Sequence, residues 1–178
     1  DAEVAWVVDK DALLDLGDDA TGAKLIQGKG LPGLYCAPQV SAVFVATPAV
    51  SHAALASEAL QRGMHVWGEK PAAKRVSEAD RLARLAREAD RILFVDYTFL
   101  YDPRVLYLTK LAENCAGESS LFARWESLSS DALWDLGPHP VSILLAIRHP
   151  GWVAARRSRN GAIRIQAGAG EQTCATIV

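Results

Sequence analysis

The stretch "MHVWGEKPAA", residues 64–73, begins as an apolar run with strand character and then sets a carboxylate, an ammonium and a proline in succession: Glu69, Lys70 and Pro71. A lysine in a partly desolvated place has a labile proton, and a neighbouring carboxylate can steady it. Two other apolar runs stop on polar or turn-forming residues in the same way: residues 4–8 end at Asp9, and "SAVFVATP" ends at Thr47 and Pro48. In an open parallel sheet, ligands settle in the crevice at the carboxyl ends of the strands. Neighbouring strands would therefore bring Asp9, Thr47-Pro48 and Glu69-Lys70-Pro71 to one rim. An acidic residue at such a strand end accepts hydrogen bonds from the ribose hydroxyls of NAD and repels the extra phosphate of NADP. Asp9 also fits a helix cap before "KDALLDL", and Glu69-Lys70 also fits a surface ion pair in a turn.

The elements that must position these groups alternate. Buried-strand patterns at residues 4–8, 41–48, 64–67 and 91–96 are separated by helical spacing in "SHAALASEALQRG", with Gly63 as a left-handed stop, and by a stripe of Ala79, Leu82, Ala83 and Ala86. Ser77 with Asp80 reads as a capping-box variant opening that second helix. "KDALLDLGDDA" reads as a short helix, and "TGAKLIQGKGLPGLYCAPQ", rich in Gly and Pro, as irregular. Short connections without hairpin signals predict βαβ units on a parallel sheet.

After residues 97–102 the pattern changes. A helix over residues 103–116, with Pro103 in its first turn, is followed by strands in "SSLFARWES", "WVAARRSR", "AIRIQA" and "QTCATIV", interrupted by one helix in "GPHPVSILLAIR". The expected fold class is α/β: an incomplete Rossmann-like parallel-sheet domain over residues 1–98, then an α+β domain with an open antiparallel or mixed sheet over residues 99–178.

Composition narrows the function classes. The chain has 178 residues, half of them hydrophobic, and a net charge of −2 from 19 basic and 21 acidic residues, so it carries no electrostatic footprint for nucleic acid. The arginine groups 81/84/87 and 156/157/159 read as solvated faces. Cys36, Cys115 and Cys174 lie far apart without metal-ligand or disulfide spacing, which predicts no metal site and a reducing, cytoplasmic setting. No apolar run approaches the ~20 residues that span a bilayer, so no membrane partner is expected. The chain starts at Asp1 directly before a strand and stops inside another, which predicts a piece of a longer protein.

The segments "VFVATPAVSH", "ALQRGMHVWGEKP", "FVDYTFLYDP" and "ALWDLGPHPVSIL", in that order, resemble the Gfo/Idh/MocA family of NAD(P)-dependent oxidoreductases acting on sugars and related polyols. The resemblance implies a dinucleotide-binding domain followed by an α+β domain with a broad sheet, NAD as cofactor in preference to NADP, a sugar or polyol substrate, and a homodimer or homotetramer. It implies that Lys70 sits beside the nicotinamide and the reacting carbinol, that Asp135 and His139 reach the same place from the second domain, and that the Lys70-Pro71 bond is cis. His139 would take the hydroxyl proton, imidazole titrating near neutrality, and Asp135 would orient it or bind substrate. Pro138 and Pro140 suit only a first helical turn, so Asp135 and His139 are expected together at a helix N-terminus. A packed structural histidine with Asp135 as cap is the alternative.

His52 is expected near the cofactor, with Thr47, Pro48 and Glu69, or else as a first-turn residue making a local hydrogen bond. Tyr101, with Trp67, Trp125 and Trp134, could line a sugar site, although such aromatics also fit a core. His65 and His149 read as structural. The family's Gly-rich phosphate turn would precede residue 1, and "ESLSSDALWDL" is a shorter link than the pattern leads one to expect. A non-catalytic ligand sensor on the same scaffold, or an inactive fragment, is the rival expectation.

Overall fold

The computed structural model describes residues 6–9, 24–27, 40–114, 121–123, 132–135, 137–147, 152–157, 163–169 and 172–177. The helix expected from "KDALLDLGDDA", His149 and Trp125 lie outside the described residues. The chain divides into two compact units, Asp1–Val95 and Asp96–Val178.

In the first unit, β1 (Trp6–Asp9) pairs in parallel with β2 (Lys24–Gln27), Asp9 standing opposite Gln27. This corrects the irregular reading of the Gly/Pro-rich stretch, which contains β2. Pairing with β1 supplies the strand's hydrogen bonds, and glycines on either side do not prevent it. The chain continues through β3 (Ala42–Val45), α1 (Ala49–Gln61), β4 (His65–Glu69), α2 (Val76–Glu88) and β5 (Leu93–Asp96). β3 and β4 are parallel, with Val45 opposite Gly68, and β5 lies on the far side of β4, where Val66 N–H donates to Ile92 O at 2.8 Å.

Strand side chains alternate between faces, and here the two faces differ. Val43, Val45 and Val66 turn to a core shared with Ala56, Ala59 and Leu60 of α1 and Leu82 and Ala86 of α2. Phe44, Trp67 and Phe94 form an edge-to-face row on the other face, with ring centroids 6.0 and 5.1 Å apart.

α1 ends as its sequence predicts. Gly63 has φ +76°, Gly63 N–H bonds to Leu60 O and Met64 N–H to Ala59 O, the paired bonds of a Schellman stop. α2 ends in the same way on Asp90, a non-glycine at φ +52°, with Arg91 N–H bonding to Ala86 O. Its start differs from expectation. Arg75 is the extended N-cap residue, Glu78 and Ala79 N–H bond to Arg75 O, and no side chain caps the helix. Ser77 therefore lies inside the first turn, where it cannot act as the box's cap.

In the second unit a 3-10 turn, Thr98–Tyr101, leads into α3 (Pro103–Asn114), with Pro103 in the first turn as predicted. Asp102 caps α3: Arg104 N–H donates to its Oδ1 at 2.8 Å. Next come β6 (Leu121–Ala123), the short α4 (Ala132–Asp135), α5 (Pro138–Ile147), β7 (Trp152–Arg157), β8 (Ile163–Ala169) and β9 (Gln172–Ile177). α5 packs on α3, α4 and the 3-10 turn and buries His139, Pro140, Ser142, Ile143 and Leu144. The four strands run β6-β9-β8-β7, parallel between β6 and β9 and antiparallel elsewhere, with a register shift at Ala167/Gly168. Among the described residues no helix is long and apolar enough to cross a membrane, and no cluster of three His, Cys, Asp or Glu could hold a metal ion.

Candidate active site

The in-register pair Val45 and Gly68 closes the β3–β4 ladder, and the chemistry-bearing residues begin just beyond it. Thr47 and Lys70 each lie two positions past that pair, so both leave the sheet at its carboxyl edge. Side-chain contacts there are specific. Thr47 Oγ1 and Ser51 Oγ are 2.7 Å apart, and Ser51 Oγ donates to Pro48 O at 2.8 Å. Those bonds fold the Thr47-Pro48 turn onto the first turn of α1.

His52 links this turn to the next one. It is 3% exposed, its Nδ1 lies 2.8 Å from Pro71 O and its Nε2 2.5 Å from Thr47 O. The sequence offered His52 a place near the cofactor or a local hydrogen bond. The contact with Thr47 O, five residues away, is the local hydrogen bond, and the contact with Pro71 O, 19 residues away, is one the sequence did not suggest. Glu69 and Lys70 are half-buried, Pro71 is buried, and the Lys70-Pro71 peptide is cis, as expected. Gly68, beneath them in β4, is buried, yet a Cβ built on it would meet nothing within 4 Å.

Asp9 stands apart in the strand pairing. It ends β1, whose partner is β2, whereas Thr47 and Lys70 follow strands of the separate β3-β4-β5 sheet. Pairing therefore brings Thr47, Pro48, His52, Glu69 and Lys70 together and does not bring Asp9 to them. His65 is structural, as read: its Nδ1 accepts from Ile92 N–H at 3.0 Å, across the β4–β5 pair.

In the second unit His139 is the second residue of α5, between Pro138 and Pro140, and is 7% exposed. Its carbonyl accepts from Ser142 Oγ at 2.8 Å, and its ring meets that of Phe99 edge-on at 4.7 Å. Asp135 is not on the same helix start. It is the exposed last residue of α4, and α5 begins at Pro138. Pro138 disfavours a helical conformation for Gly137 before it, and α4 and α5 are separate helices. Tyr101 is 62% exposed at the end of the 3-10 turn. Trp67 is 51% exposed on the aromatic row of the first unit, and so it is not core.

Two charges near the start of the second unit are tuned. Hydrogen bonds from the Arg104 side chain and backbone lower the Asp102 carboxyl from 3.8 to about 2, and the same pairing raises the Arg104 guanidinium. Burial raises the Tyr97 hydroxyl. Phe99 was not singled out from the sequence; its only signal was membership of the apolar run "YTFLY" before the proline.

Comparison with known proteins agrees with the parallel-sheet fold of the first unit. Residues 20–97 match the model of an oxidoreductase family with an NAD-binding Rossmann fold. A dTDP-3,4-didehydro-2,6-dideoxy-alpha-D-glucose 3-reductase of Actinomadura kijaniata is 33% identical over 128 residues, covering 64% of this chain and 39% of the relative. A UDP-N-acetylglucosamine 3-dehydrogenase of Acidithiobacillus ferrooxidans is 30% identical over 113 residues, covering 61% of this chain and 36% of the relative. The chain thus spans well under half the length of these relatives. Among solved structures, that of GenD2 from gentamicin A biosynthesis, in complex with NAD, superposes with a TM-score of 0.79 at 24% identity over 99% of this chain and 57% of that one. At that identity the likeness is one of fold.

Proposed function

We propose, on the premise that residues 20–97 match the NAD-binding Rossmann module of the Gfo/Idh/MocA oxidoreductase family, that the whole protein transfers a hydride between a carbinol of a sugar or polyol and a nicotinamide cofactor. The observation that carries the reading is the joined rim of β3 and β4: Thr47-Pro48 and Glu69-Lys70-Pro71, at the carboxyl edge of a parallel pair, bridged by His52. That is where an open α/β sheet takes its ligand. The open space beside Gly68 supports the fit, because neither a positive φ nor a neighbouring atom demands glycine there. A flat ring can approach a strand end that lacks a side chain.

The nicotinamide, when bound, accepts or supplies the hydride. Lys70, half-buried on the rim, holds the substrate oxygen and lowers the cost of charge developing on it. His139 takes or returns the hydroxyl proton, and Asp135 orients substrate or imidazole. Thr47, Pro48, Glu69 and Asp9 belong to the cofactor's surroundings; the acidic Asp9 favours NAD, since a 2′-phosphate would need a basic partner there. Tyr101, exposed, contributes to the sugar site. We further read residues 1–98 as the dinucleotide domain and 99–178 as the start of an α+β substrate domain, in a cytoplasmic homodimer or homotetramer.

The names of the two relatives above, a nucleotide-sugar 3-reductase and a nucleotide-sugar 3-dehydrogenase, support a sugar carbinol as substrate class. A second reading, a ligand sensor without turnover, draws on the burial of the His139 ring at 7% exposure. The test is a screen of the whole protein with NAD and a panel of nucleotide sugars, free sugars and polyols, following reduced cofactor. Binding without turnover across the panel would favour the sensor.

A further inference from the structure

The register pairing of β3 with β4 ends at Val45 and Gly68, two residues short of both Thr47 and Lys70. His52 joins the two turns beyond that pair. Its Nδ1 faces Pro71 O at 2.8 Å and its Nε2 faces Thr47 O at 2.5 Å, with the side chain buried. A backbone carbonyl only accepts hydrogen bonds, and a neutral imidazole has a single N–H. In a neutral ring, therefore, one of these two contacts would set a nitrogen lone pair against an oxygen lone pair at bonding distance. Both contacts are attractive only if both nitrogens carry protons.

We infer that His52 is a doubly protonated clamp, an imidazolium whose two N–H groups tie the carbonyl of Pro71 to that of Thr47 and so fix where Lys70 stands. Thr47 is itself held by Ser51, so the clamp anchors the Lys70 turn to a fixed point on α1. His52 acts through Lys70 and is a positioning residue. With both nitrogens occupied by the backbone, it is not a direct ligand of the cofactor. The role for Lys70 rests on the oxidoreductase reading above; the charge state of the clamp does not.

The test has two arms, each on the full protein. In a nitrogen-15-labelled sample, the long-range proton–nitrogen spectrum should show both ring nitrogens of His52 as protonated, the signals being assigned by their loss in His52→Phe. One protonated and one lone-pair nitrogen overturns the clamp, whatever the kinetics. In the kinetic arm, His52→Phe keeps the ring volume and removes both donors. It should lower kcat by roughly 10–100-fold through misplacement of Lys70, with KM for the dinucleotide within about threefold of wild type. His52→Gln, which keeps one donor, should fall between the two and serves if the phenylalanine variant fails to fold. A folded variant with unchanged kcat, or a loss confined to the dinucleotide KM, overturns the positioning role. If Lys70→Met turns over normally, the role proposed for Lys70 fails, and if the whole wild-type protein turns over no carbinol the oxidoreductase reading fails; in either case the ring-nitrogen result still decides the clamp.

Discussion

Among the described residues two histidines are buried, one in each unit, and their surroundings are unlike. His52, at 3% exposure, has each ring nitrogen on a backbone carbonyl and joins two loops. His139, at 7%, presents its ring edge-on to Phe99, and it is its backbone carbonyl that takes the nearby hydroxyl of Ser142. Burial alone does not separate a structural from a reactive imidazole; what the nitrogens bind does. A ring committed at both nitrogens to backbone carbonyls is a fastener, and that is the part His52 plays. Sequence placed both residues near strand or helix starts and gave them overlapping roles.

The sharpest way to break that contrast is to remove the proton chemistry at His139. His139→Asn should slow alcohol oxidation by roughly 10²–10⁴-fold, about 3–5 kcal/mol of barrier, with cofactor affinity almost unchanged. Stopped-flow and steady-state rates with a binding titration would check this, and a loss under tenfold would put His139 beside His52 as a structural residue.

The cores beneath the two histidines offer a second comparison. Leu60 is fully buried under the β3–β4 rim and Leu144 is 3% exposed in α5. Leu60→Ala and Leu144→Ala should each cost about 2–5 kcal/mol in chemical denaturation. If the units unfold separately, each variant should shift a single transition. A smaller effect follows from Asp9: the whole protein should bind NAD about tenfold more tightly than NADP, on the order of 1.4 kcal/mol. A fluorescence titration showing equal or tighter NADP binding would remove Asp9 from the cofactor's surroundings.

The smallest expected effect is electrostatic. Asp102, hydrogen-bonded to Arg104, has a folded carboxyl at about 2, below its ordinary 3.8. Its contribution to the start of α3 is thus present above the ordinary value and is lost as pH falls from about 3.8 through about 2. Arg104→Gln should remove that part of the acid sensitivity of helicity, measured by circular dichroism, while leaving the neutral-pH signal unchanged.

Much of the fold could be read from period and punctuation. The alternation of strands and helices in residues 41–96, the left-handed stop at Gly63 and the first-turn place of Pro103 are local signals that the structure carries. What local signals missed depends on partners. β2 hides among glycines because its hydrogen bonds come from β1. The Ser77 cap misled because the extended backbone of Arg75, not the polar side chain two residues on, sets where α2 begins. Asp135 was joined to His139 by spacing, while Pro138 in fact separates two helices. The rim itself was legible in the order of Thr47-Pro48 and Glu69-Lys70-Pro71. The clamp was not, since its longer bond spans 19 residues and is made to a carbonyl that any residue type would supply.

Lys70 is the residue on which the proposed hydride transfer turns. The most direct measurement is single-turnover hydride transfer by the whole protein and by Lys70→Met, with saturating NAD and a sugar that the wild type oxidises. We predict that the variant binds NAD within about threefold of wild type while its hydride-transfer rate falls by on the order of 10³-fold or more. A variant whose rate stays within about tenfold of wild type would contradict the assignment of Lys70 as the residue that holds the substrate oxygen.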